Sequence, residues 1–305
     1  MVTMKRILIL LSTFNGQSVV KRQVESIIAQ REVDAHILVR DDGSSDNTLD
    51  VLFDLRKKYR NKIEIIKDAN IGYRKSFFYL IQSAQEYDYY GFSDQDDLWM
   101  DDKVISCIKL IENHKDKGPK LAHVGAISVD ENLKKRLQQE KRKPKPSSFK
   151  MAIATEYFQG CGMIWNKELM RIVRLYVPRD TRITHDYWVG LLGYLFGDIY
   201  FCSKPKFYHI RYKTNSSRDG NILLGRVDRL KKIFTTDSAY MNPAQDLSNG
   251  YSSLLTKSQK NFLNKLINYR KNSKNKISIL FDIRFKRPTL LATLLFKFSI
   301  LINHY

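Results

Sequence analysis

Two groups of carboxylates in the first hundred residues could do chemistry. Asp94 and Asp96 form an Asp-x-Asp pair, and Asp41 and Asp42 stand next to each other earlier in the chain. Hard cations such as Mn²⁺ and Mg²⁺ prefer oxygen ligands, so an Asp-x-Asp pair suits a cation that bridges two phosphates. Adjacent carboxylates repel each other unless each accepts hydrogen bonds or meets a cation. Each group alone leaves an alternative open: the Asp-x-Asp pair could be solvated surface charge, and Asp41 and Asp42 could belong to a helix-capping turn.

The elements predicted around these residues place both groups at one edge of a sheet. Short apolar runs predict strands, and apolar residues at helical spacing predict helices between them. The strands are expected over 6–11, 35–39, 63–66 and 87–92, and the helices over 19–30, 74–85 and from an N-cap at Asp46 or Asn47 to about 59. Alternating strands and helices form a parallel sheet covered on both faces. Its ligands bind at the carboxyl ends of the strands, where both acidic groups fall.

Charge and cysteine content restrict the class of protein. The chain has 305 residues, a formal net charge of +20 and three widely spaced cysteines without a Cys-x-x-Cys pair. The cysteine pattern argues against a disulfide framework or a zinc site. The charge implies an anionic partner, which could be a nucleic acid, a nucleotide or an anionic membrane. The apolar run at 7–11 is shorter than the ~7–15 residues of a signal-peptide core, so we interpret it as a buried strand.

The C-terminal part of the chain is strongly basic and ends in an apolar helix. Residues 216–305 contain 16 Lys and Arg against 5 Asp and Glu. Apolar residues at helical spacing over 290–302 predict a helix that is shorter than the ~20 residues needed to cross a bilayer. Arg284, Lys286 and Arg287 precede it, and this pattern suits in-plane association with an anionic membrane. Packing of the helix on the rest of the chain is the alternative.

Four segments of the sequence resemble one known family. "DDGSSDNT", followed about fifty residues later by "FSDQDDLW", is similar to family 2 glycosyltransferases, and in particular to bacterial rhamnosyltransferase-like members. Residues 158–166 look like that group's Gly-Cys segment before an Asn, and "HDYW" at 185–188 resembles its "HDWW". The resemblance covers about residues 4–215. It implies a GT-A fold in a domain over 1–215, followed by a basic helical region over 216–305.

The resemblance also implies a role for each matching residue. Asp186 would be the general base that deprotonates the acceptor hydroxyl, which inverts the anomeric carbon. Asp94 would lie near the ribose and the metal, and Asp96 would be a ligand of Mn²⁺ or Mg²⁺. The nucleotide-sugar donor would be bound by Thr13, Asn15, Asp41, Asp42, Asn70 and Asp94. Contacts to the acceptor or the diphosphate would come from Gly160, Cys161, His185, His209 and Arg211.

One segment departs from the family pattern. Where the rhamnosyltransferase-like group has a histidine, this chain has Tyr212, and His209 stands three positions earlier. A histidine contact to the metal or diphosphate would therefore require His209 to occupy that place. A structural histidine at a strand end is the other interpretation.

The implied function is transfer of a sugar from a UDP- or dTDP-sugar, such as dTDP-rhamnose, to a lipid-linked or growing capsule or cell-wall glycan. Such an enzyme is expected in the cytoplasm, bound peripherally to the inner face of the cell membrane. One alternative, a sugar nucleotidyltransferase, should have a Gly-rich basic loop after the first strand, and "STFNG" lacks it. The other alternative is a non-catalytic protein that binds nucleic acid or membrane. Acidic groups at the ligand edge would repel the phosphates of a nucleic acid, so we expect no nucleic-acid partner.

Overall fold

The computed structural model describes residues 4–114, 116–135, 144–212 and 240–305. The chain forms two compact units. The first comprises Met1–Lys141, Phe158–Arg174 and Thr184–Lys213, and the second comprises Arg142–Tyr157, Leu175–Ile183 and Thr214–Tyr305. The predicted domain boundary between residues 215 and 216 lies outside the described residues.

A seven-stranded sheet forms the centre of the first unit, in the order β3-β2-β1-β4-β8-β6-β9. Strands β1 to β4 are parallel to one another, whereas β8 runs antiparallel to both of its neighbours. A smaller sheet has the order β5-β10-β7. The strands are β1 Lys5–Thr13, β2 Val33–Asp42, β3 Ile63–Asp68, β4 Tyr89–Ser93, β5 Leu98–Trp99, β6 Lys120–His123, β7 Ala126–Val129, β8 Met163–Asn166, β9 Asp198–Phe201 and β10 Phe207–Ile210.

Helices cover both faces of the large sheet. Every residue over 7–11 of β1 is buried, as expected for a strand enclosed on both sides. Alternate residues of β1 pack with α1, α2 and α4 on one face, and α3 contacts β1, β2 and α7. The helices of this unit are α1 Val20–Ile28, α2 Thr48–Lys58, α3 Tyr73–Ser83, α4 Lys103–Glu112, α6 Lys167–Val173 and α7 His185–Phe196. The expected α/β architecture, with a mostly parallel sheet flanked by helices, is confirmed.

The predicted strands are present, and the first two extend into the residues singled out for chemistry. Thr13 ends β1 and Asp41 lies near the end of β2, where the two residues are register partners. Asn47 holds the N-cap position of α2 without a side-chain capping bond. Asp46 instead accepts a hydrogen bond from the Thr48 backbone N–H at 3.0 Å. Both residues expected to start this helix therefore lie at its first turn, and Asp46 supplies the bond.

The described helices of the second unit include α5 Phe149–Ala152, α8 Ala244–Tyr251, α9 Lys257–Asn268, α10 Ser273–Leu280 and α11 Leu290–Leu301. Helix α9 begins with a capping box between Thr256 and Gln259. One face of α11 is buried through Phe296 and Ile300, and the Phe296 ring meets the Phe285 ring edge-on at 5.0 Å. The predicted C-terminal helix is thus present, and its inner face packs within its own unit. Among the described residues, no helix has the length and apolar character needed to cross a membrane.

The packing of α7 depends on a glycine in its middle. A Cβ added to Gly190 would lie 2.1 Å from the nearest ring carbon of Phe158, so the ring occupies the space of a side chain. We expect Gly190→Ala to lower the free energy of unfolding by about 2 kcal/mol, because overpacking outweighs the gain in helix propensity. Urea unfolding would measure this. Gly118→Ala is the control, since its Cβ would meet only Asp116 Oδ2, at 3.5 Å; equal losses in both variants would contradict the packing argument.

Candidate active site

The loops that follow β1 and β2 are joined through Asp41. The Thr13 hydroxyl donates to Asp41 Oδ1 at 3.0 Å, and both residues are buried. The Ser44 hydroxyl donates to the same oxygen at 2.6 Å, and the Ser44 backbone N–H donates to Oδ2 at 2.9 Å. Asn15 adds a second link between the loops, because its side-chain oxygen accepts from the Ser45 N–H at 2.8 Å. The predicted donor residues on these loops therefore form one hydrogen-bonded group.

Asp42 fixes the loop after β3. It accepts hydrogen bonds from the Arg40 guanidinium and from the backbone N–H groups of Ile71 and Gly72, each of the latter at 2.9 Å. This places Asn70 beside the end of β2. The packing is close, because a Cβ on Gly43 would lie 2.9 Å from the Asn70 nitrogen, and Gly43 also has φ of +76°.

Sequence analysis missed Arg40, which is fully buried. Besides Asp42, its guanidinium donates to the Ala69 carbonyl at 2.9 Å. A signal was available, because residues two apart on a strand point to the same face. An arginine two positions before an aspartate in a buried strand requires a partner, and Asp42 is the nearest one.

A second group of side chains lies at the end of β4 and could hold a metal ion. One ligand atom from each of Asp94, Asp97 and Cys161 lies within 4.8 Å of the others. Asp97 is buried, and its Oδ2 has no hydrogen-bond partner in the part of the chain that the structure describes. Burial raises the pKa of Asp94 to about 8, and the charges of Asp97 and Asp96 add to this effect. We call the site formed by Asp94, Asp97 and Cys161 the acidic pocket. A group of carboxylates with too few counter-charges suits a divalent cation.

His209 lies at this pocket. Its Nδ1 is 2.8 Å from Asp97 Oδ1. Burial lowers the pKa of His209, but the hydrogen bond and charge of Asp97 raise it more, so the net shift is upward. Tyr212, at the position where the family pattern has histidine, accepts a hydrogen bond from Arg22 Nη2 at 2.5 Å. The structure therefore brings His209 to the acidic residues, three positions before the expected place.

Asp96 and Arg211 lie around the same pocket. Asp96 is half-buried, and its pKa is raised by burial and by the charge of Asp97, with an opposing effect from Arg211. Asp96 is not part of the group of three potential ligands among the described residues. Asp97, which sequence analysis did not assign, is a member of that group. It follows Asp96 directly, so the acidic run "DQDD" was the available signal.

Gln95 connects the acidic loop to the loop after β1. Its side-chain oxygen accepts from the Phe14 N–H at 2.9 Å, and its side-chain nitrogen donates to the Phe14 carbonyl at 3.0 Å. A Cβ on Gly16 would lie 2.4 Å from Gln95 Oε1, so a side chain at position 16 would displace the Gln95 amide from these bonds. Sequence analysis gave Gln95 no role, because nothing local indicates a partner 81 residues away.

A buried lysine lies next to the acidic pocket. Lys103 is fully buried, and its Nζ is 2.8 Å from the centre of the Trp99 ring. Burial lowers the pKa of Lys103 to about 7, against opposing effects of Cys107, Cys161 and Asp97. The same surroundings raise the pKa of the Cys161 thiol well above its usual value, through burial first and then the charges of Asp97 and Asp94. Sequence analysis missed Lys103, since lysine is rarely fully buried.

Asp186 lies in the first turn of α7 and is half-buried. The N-terminal end of a helix favours a carboxylate, because the backbone dipole is positive there. The charge of Asp186 contributes to the raised pKa of Asp94, so Asp186 lies close enough to the acidic pocket for its charge to act there. Gly160 lies against this turn, and a Cβ on it would be 3.5 Å from the Asp186 Cβ and 2.8 Å from His185 Nε2. The structure thus brings Gly160, Cys161, His185 and Asp186 to one side of the site.

His185 is enclosed by aromatic rings. Its ring stacks on Phe77 with centroids 3.7 Å apart and meets Phe92 edge-on at 4.5 Å. Burial lowers the pKa of His185 to about 4. The imidazole is therefore neutral at neutral pH, and its contacts hold the first turn of α7 in place next to Asp186.

This pKa gives a testable pH dependence of stability. His185 binds a proton near pH 6.5 in the unfolded chain and only near pH 4 in the folded chain. The contribution of the neutral, buried His185 to stability is therefore fully present above pH 6.5 and is lost as the pH falls toward 4. At 1.36 kcal/mol per pKa unit, the free energy of unfolding of the wild type should fall by about 3 kcal/mol more than that of His185→Gln across this range. Urea unfolding at pH 7, 5 and 4 measures the difference. His114→Gln, at an exposed histidine, should keep the wild-type pH dependence.

Comparison with known proteins agrees with this geometry. The model of a family described as Glycosyl transferase family 2 matches residues 8–171, more than half of the chain. The dTDP-rhamnosyl transferase RfbG of Shigella flexneri is 39% identical over 102 residues, which are 32% of this chain and 35% of that protein. The chondroitin synthase of Pasteurella multocida is 33% identical over 111 residues, which are 36% of this chain and 11% of that protein. The chain thus matches about a third or less of the length of these relatives.

Solved structures share the fold. S. aureus TarS 1-349 in complex with UDP-GlcNAc superposes with a TM-score of 0.56 and 17% identity, over 92% of this chain and 78% of that one. The mannosyltransferase PcManGT from Pyrobaculum calidifontis, in complex with GDP-Man and Mn²⁺, has a TM-score of 0.52 and 11% identity, over 99% and 88%. These similarities establish the fold, and the family match goes further: the chain belongs to glycosyl transferase family 2.

Proposed function

We propose that the protein is a metal-dependent, inverting glycosyltransferase that moves a sugar from a UDP- or dTDP-sugar to a hydroxyl group of a glycan. One observation carries this proposal. A half-buried carboxylate, Asp186, lies within electrostatic reach of a carboxylate group suited to a cation. Gln95 joins the loop of that group to the loop after β1, which is proposed to bind the donor. A base, a cation site and a nucleotide site are the three parts that such a transfer needs.

The residues of the acidic pocket fit a divalent cation. Asp94 and Asp97 would hold Mn²⁺ or Mg²⁺ through oxygen atoms, and the buried Oδ2 of Asp97, which has no hydrogen-bond partner among the described residues, would be one of them. Asp96 and His209 lie beside them and are the further candidates for ligands. A bound cation supplies positive charge that stabilises the diphosphate as it leaves. Arg211, whose charge acts on Asp96, would add a second positive charge at the diphosphate.

The donor base would bind at the ends of β1, β2 and β3. An ionised carboxylate offers about four acceptor positions. Asp41 and Asp42 each use three of them in hydrogen bonds within the protein. Among the described residues, one position on Oδ2 of each has no partner, and the imide N–H of uracil or thymine would take one of the two. Thr13 and Asn15 would shape the pocket from one side and Asn70 from the other.

Asp186 would act on the acceptor. An alcohol is a weak nucleophile until a positioned base takes its proton in the transition state. The acceptor oxygen then attacks the anomeric carbon from the side opposite the diphosphate, so a single displacement inverts that centre. Gly160 lies against this base, and because a Cβ there would collide with His185, the glycine lets its loop approach the first turn of α7 closely.

The relatives suggest the kinds of donor and acceptor. RfbG is named a dTDP-rhamnosyl transferase, and the other relative is named for chondroitin, which is a polysaccharide. We therefore propose dTDP-rhamnose as the first donor to test, with UDP-sugars next. The acceptor would be a lipid-linked or growing capsule or cell-wall glycan, presented at the inner face of the cell membrane, where the protein would be bound peripherally.

A donor panel tests the proposal. The purified protein is incubated with UDP- and dTDP-sugars in the presence of Mn²⁺, Mg²⁺ or EDTA, and release of nucleoside diphosphate is measured. We expect one donor to be consumed with a cation and not with EDTA, and NMR of the product to show the inverted anomer. If no donor binds or reacts with any cation, the proposed activity is wrong and binding of nucleic acid becomes the next hypothesis to test.

A further inference from the structure

The last two helices of the second unit expose an unusual number of large apolar side chains. Phe281, Ile283 and Leu290 have 80%, 83% and 77% of their surface exposed. Large exposed apolar patches on soluble proteins mark sites of interaction. We call the following set the apolar face: Ile277, Phe281, Ile283, Leu290, Leu291, Leu294, Phe298 and Leu301.

The residues of the apolar face lie on two adjoining helices and the turn between them. Spacings of three and four place 290, 294, 298 and 301 on one side of α11, and 277 and 281 on one side of α10. The helices are tied together, because Lys276 Nζ donates to the Leu301 carbonyl at 3.3 Å and Lys297 Nζ donates to the Asp282 carbonyl at 3.2 Å. The opposite sides, with Ile279, Phe296 and Ile300, are buried. The apolar face therefore points away from the core of its unit.

Positive charge lies beside this face. Residues 257–305 contain eleven Lys and Arg and a single acidic residue, Asp282. Asp282 is paired with Lys150, so its charge is already neutralised within the protein. Arg284 and Lys286 are exposed directly beside Phe281 and Ile283. A partner for this surface must accept both apolar side chains and a high density of cations.

We propose that the apolar face is a docking surface for an anionic phospholipid membrane, with α11 lying in the plane of the interface. Apolar side chains enter the headgroup boundary, and the cations pair with anionic headgroups. The excess positive charge opposes a second copy of the same face, since two such surfaces repel each other. Helix α11 has 12 residues, fewer than the ~20 that span a bilayer, so it lies on the membrane. The inference identifies the partner behind the proposed peripheral location, and the binding itself requires no donor chemistry.

Sedimentation of the full chain with vesicles tests this inference. Vesicles of phosphatidylcholine alone are compared with vesicles containing phosphatidylglycerol, at low and high salt. We expect binding to the anionic vesicles that weakens with salt. Leu290→Gln/Leu294→Gln should weaken binding at least about tenfold through loss of apolar burial. Arg284→Gln/Lys286→Gln should weaken it about 25-fold, at about fivefold for each cation near the surface.

Matched controls distinguish binding through the apolar face from non-specific hydrophobic binding. Leu133→Gln/Leu175→Gln changes two exposed leucines on segments outside α10 and α11 and should bind as the wild type does. Circular dichroism and thermal melting show whether each variant is folded. Asp186→Asn should bind vesicles normally, so failure of the proposed enzyme activity would not affect this result.

Three outcomes would overturn the inference. The first is that the wild type binds neither kind of vesicle. The second is that the face variants, still folded, bind as tightly as the wild type. The third is that light scattering shows an oligomer that Leu290→Gln/Leu294→Gln dissociates while vesicle binding is unchanged, which would make this face a contact between copies of the chain.

Discussion

Asp186→Asn should lower kcat for sugar transfer by about 10²–10⁴-fold, the usual contribution of a general base. The amide keeps the size of the carboxylate but cannot take the acceptor proton, and it leaves the donor loops of β1 to β3 unchanged. The KM for the donor should therefore stay within a few-fold of the wild type. Steady-state transfer with the donor identified by the panel, at saturating acceptor, measures both constants.

The control for this variant is Asp198→Asn, which changes an exposed carboxylate after the other end of α7. It should transfer sugar at the wild-type rate. If Asp186→Asn transfers sugar at a rate within threefold of the wild type, Asp186 is not the general base. A large rise in the donor KM with kcat preserved would instead make it a binding residue.

Asp94→Asn and Asp97→Asn should each weaken Mn²⁺ binding by about 10²–10³-fold, since a pair of unit charges at 4 Å is worth about 4 kcal/mol at an effective dielectric of 20. Both carboxylates belong to the potential ligand group, and Asp97 has a buried oxygen that no residue in the described part of the chain hydrogen-bonds. Transfer activity at low Mn²⁺ should fall in parallel. Titration of Mn²⁺ followed by electron paramagnetic resonance measures binding without any need for catalysis.

Asp101→Asn provides the matched control for the cation site. Asp101 is an exposed acid just beyond the acidic loop, where it pairs with Arg31 at 3.0 Å. Its loss should leave the affinity for Mn²⁺ unchanged. If Asp94→Asn and Asp97→Asn bind Mn²⁺ like the wild type, the cation lies elsewhere, and Asp96 with His209 becomes the next pair to change.

The sequence predicted the part of the fold in which local pattern and burial agree. Strands enclosed on both faces must be apolar throughout, so β1 and β2 were visible as short apolar runs. The rule that parallel strands present their carboxyl ends at one edge then brought Asp41, Asp42 and Asp94 to the same place. The antiparallel strand β8 was not predicted, because its four residues are too few to show a period.

The contacts that build the site were less predictable, because they join residues far apart in sequence. Asp97 meets His209 across 112 positions, and Gln95 meets Phe14 across 81. Local spacing contains no information about such pairs. The family resemblance selected His209 and Cys161 as candidates, but only the fold shows that both adjoin Asp97. The assigned roles of Asp186, Asp96 and the donor residues stay predictions that the variants above can test.

The Gln95 side chain links the loop proposed to bind the nucleotide base to the loop proposed to bind the cation. It holds the Phe14 backbone through two hydrogen bonds while standing between Asp94 and Asp96 in the chain. A shift of the loop after β1 must therefore displace the acidic loop. On the proposed function, the donor and the cation would then influence each other's binding, and thermodynamic linkage requires each to change the affinity of the other by the same factor. The nucleoside diphosphate product would contact the same cation, so the same linkage would apply to its release.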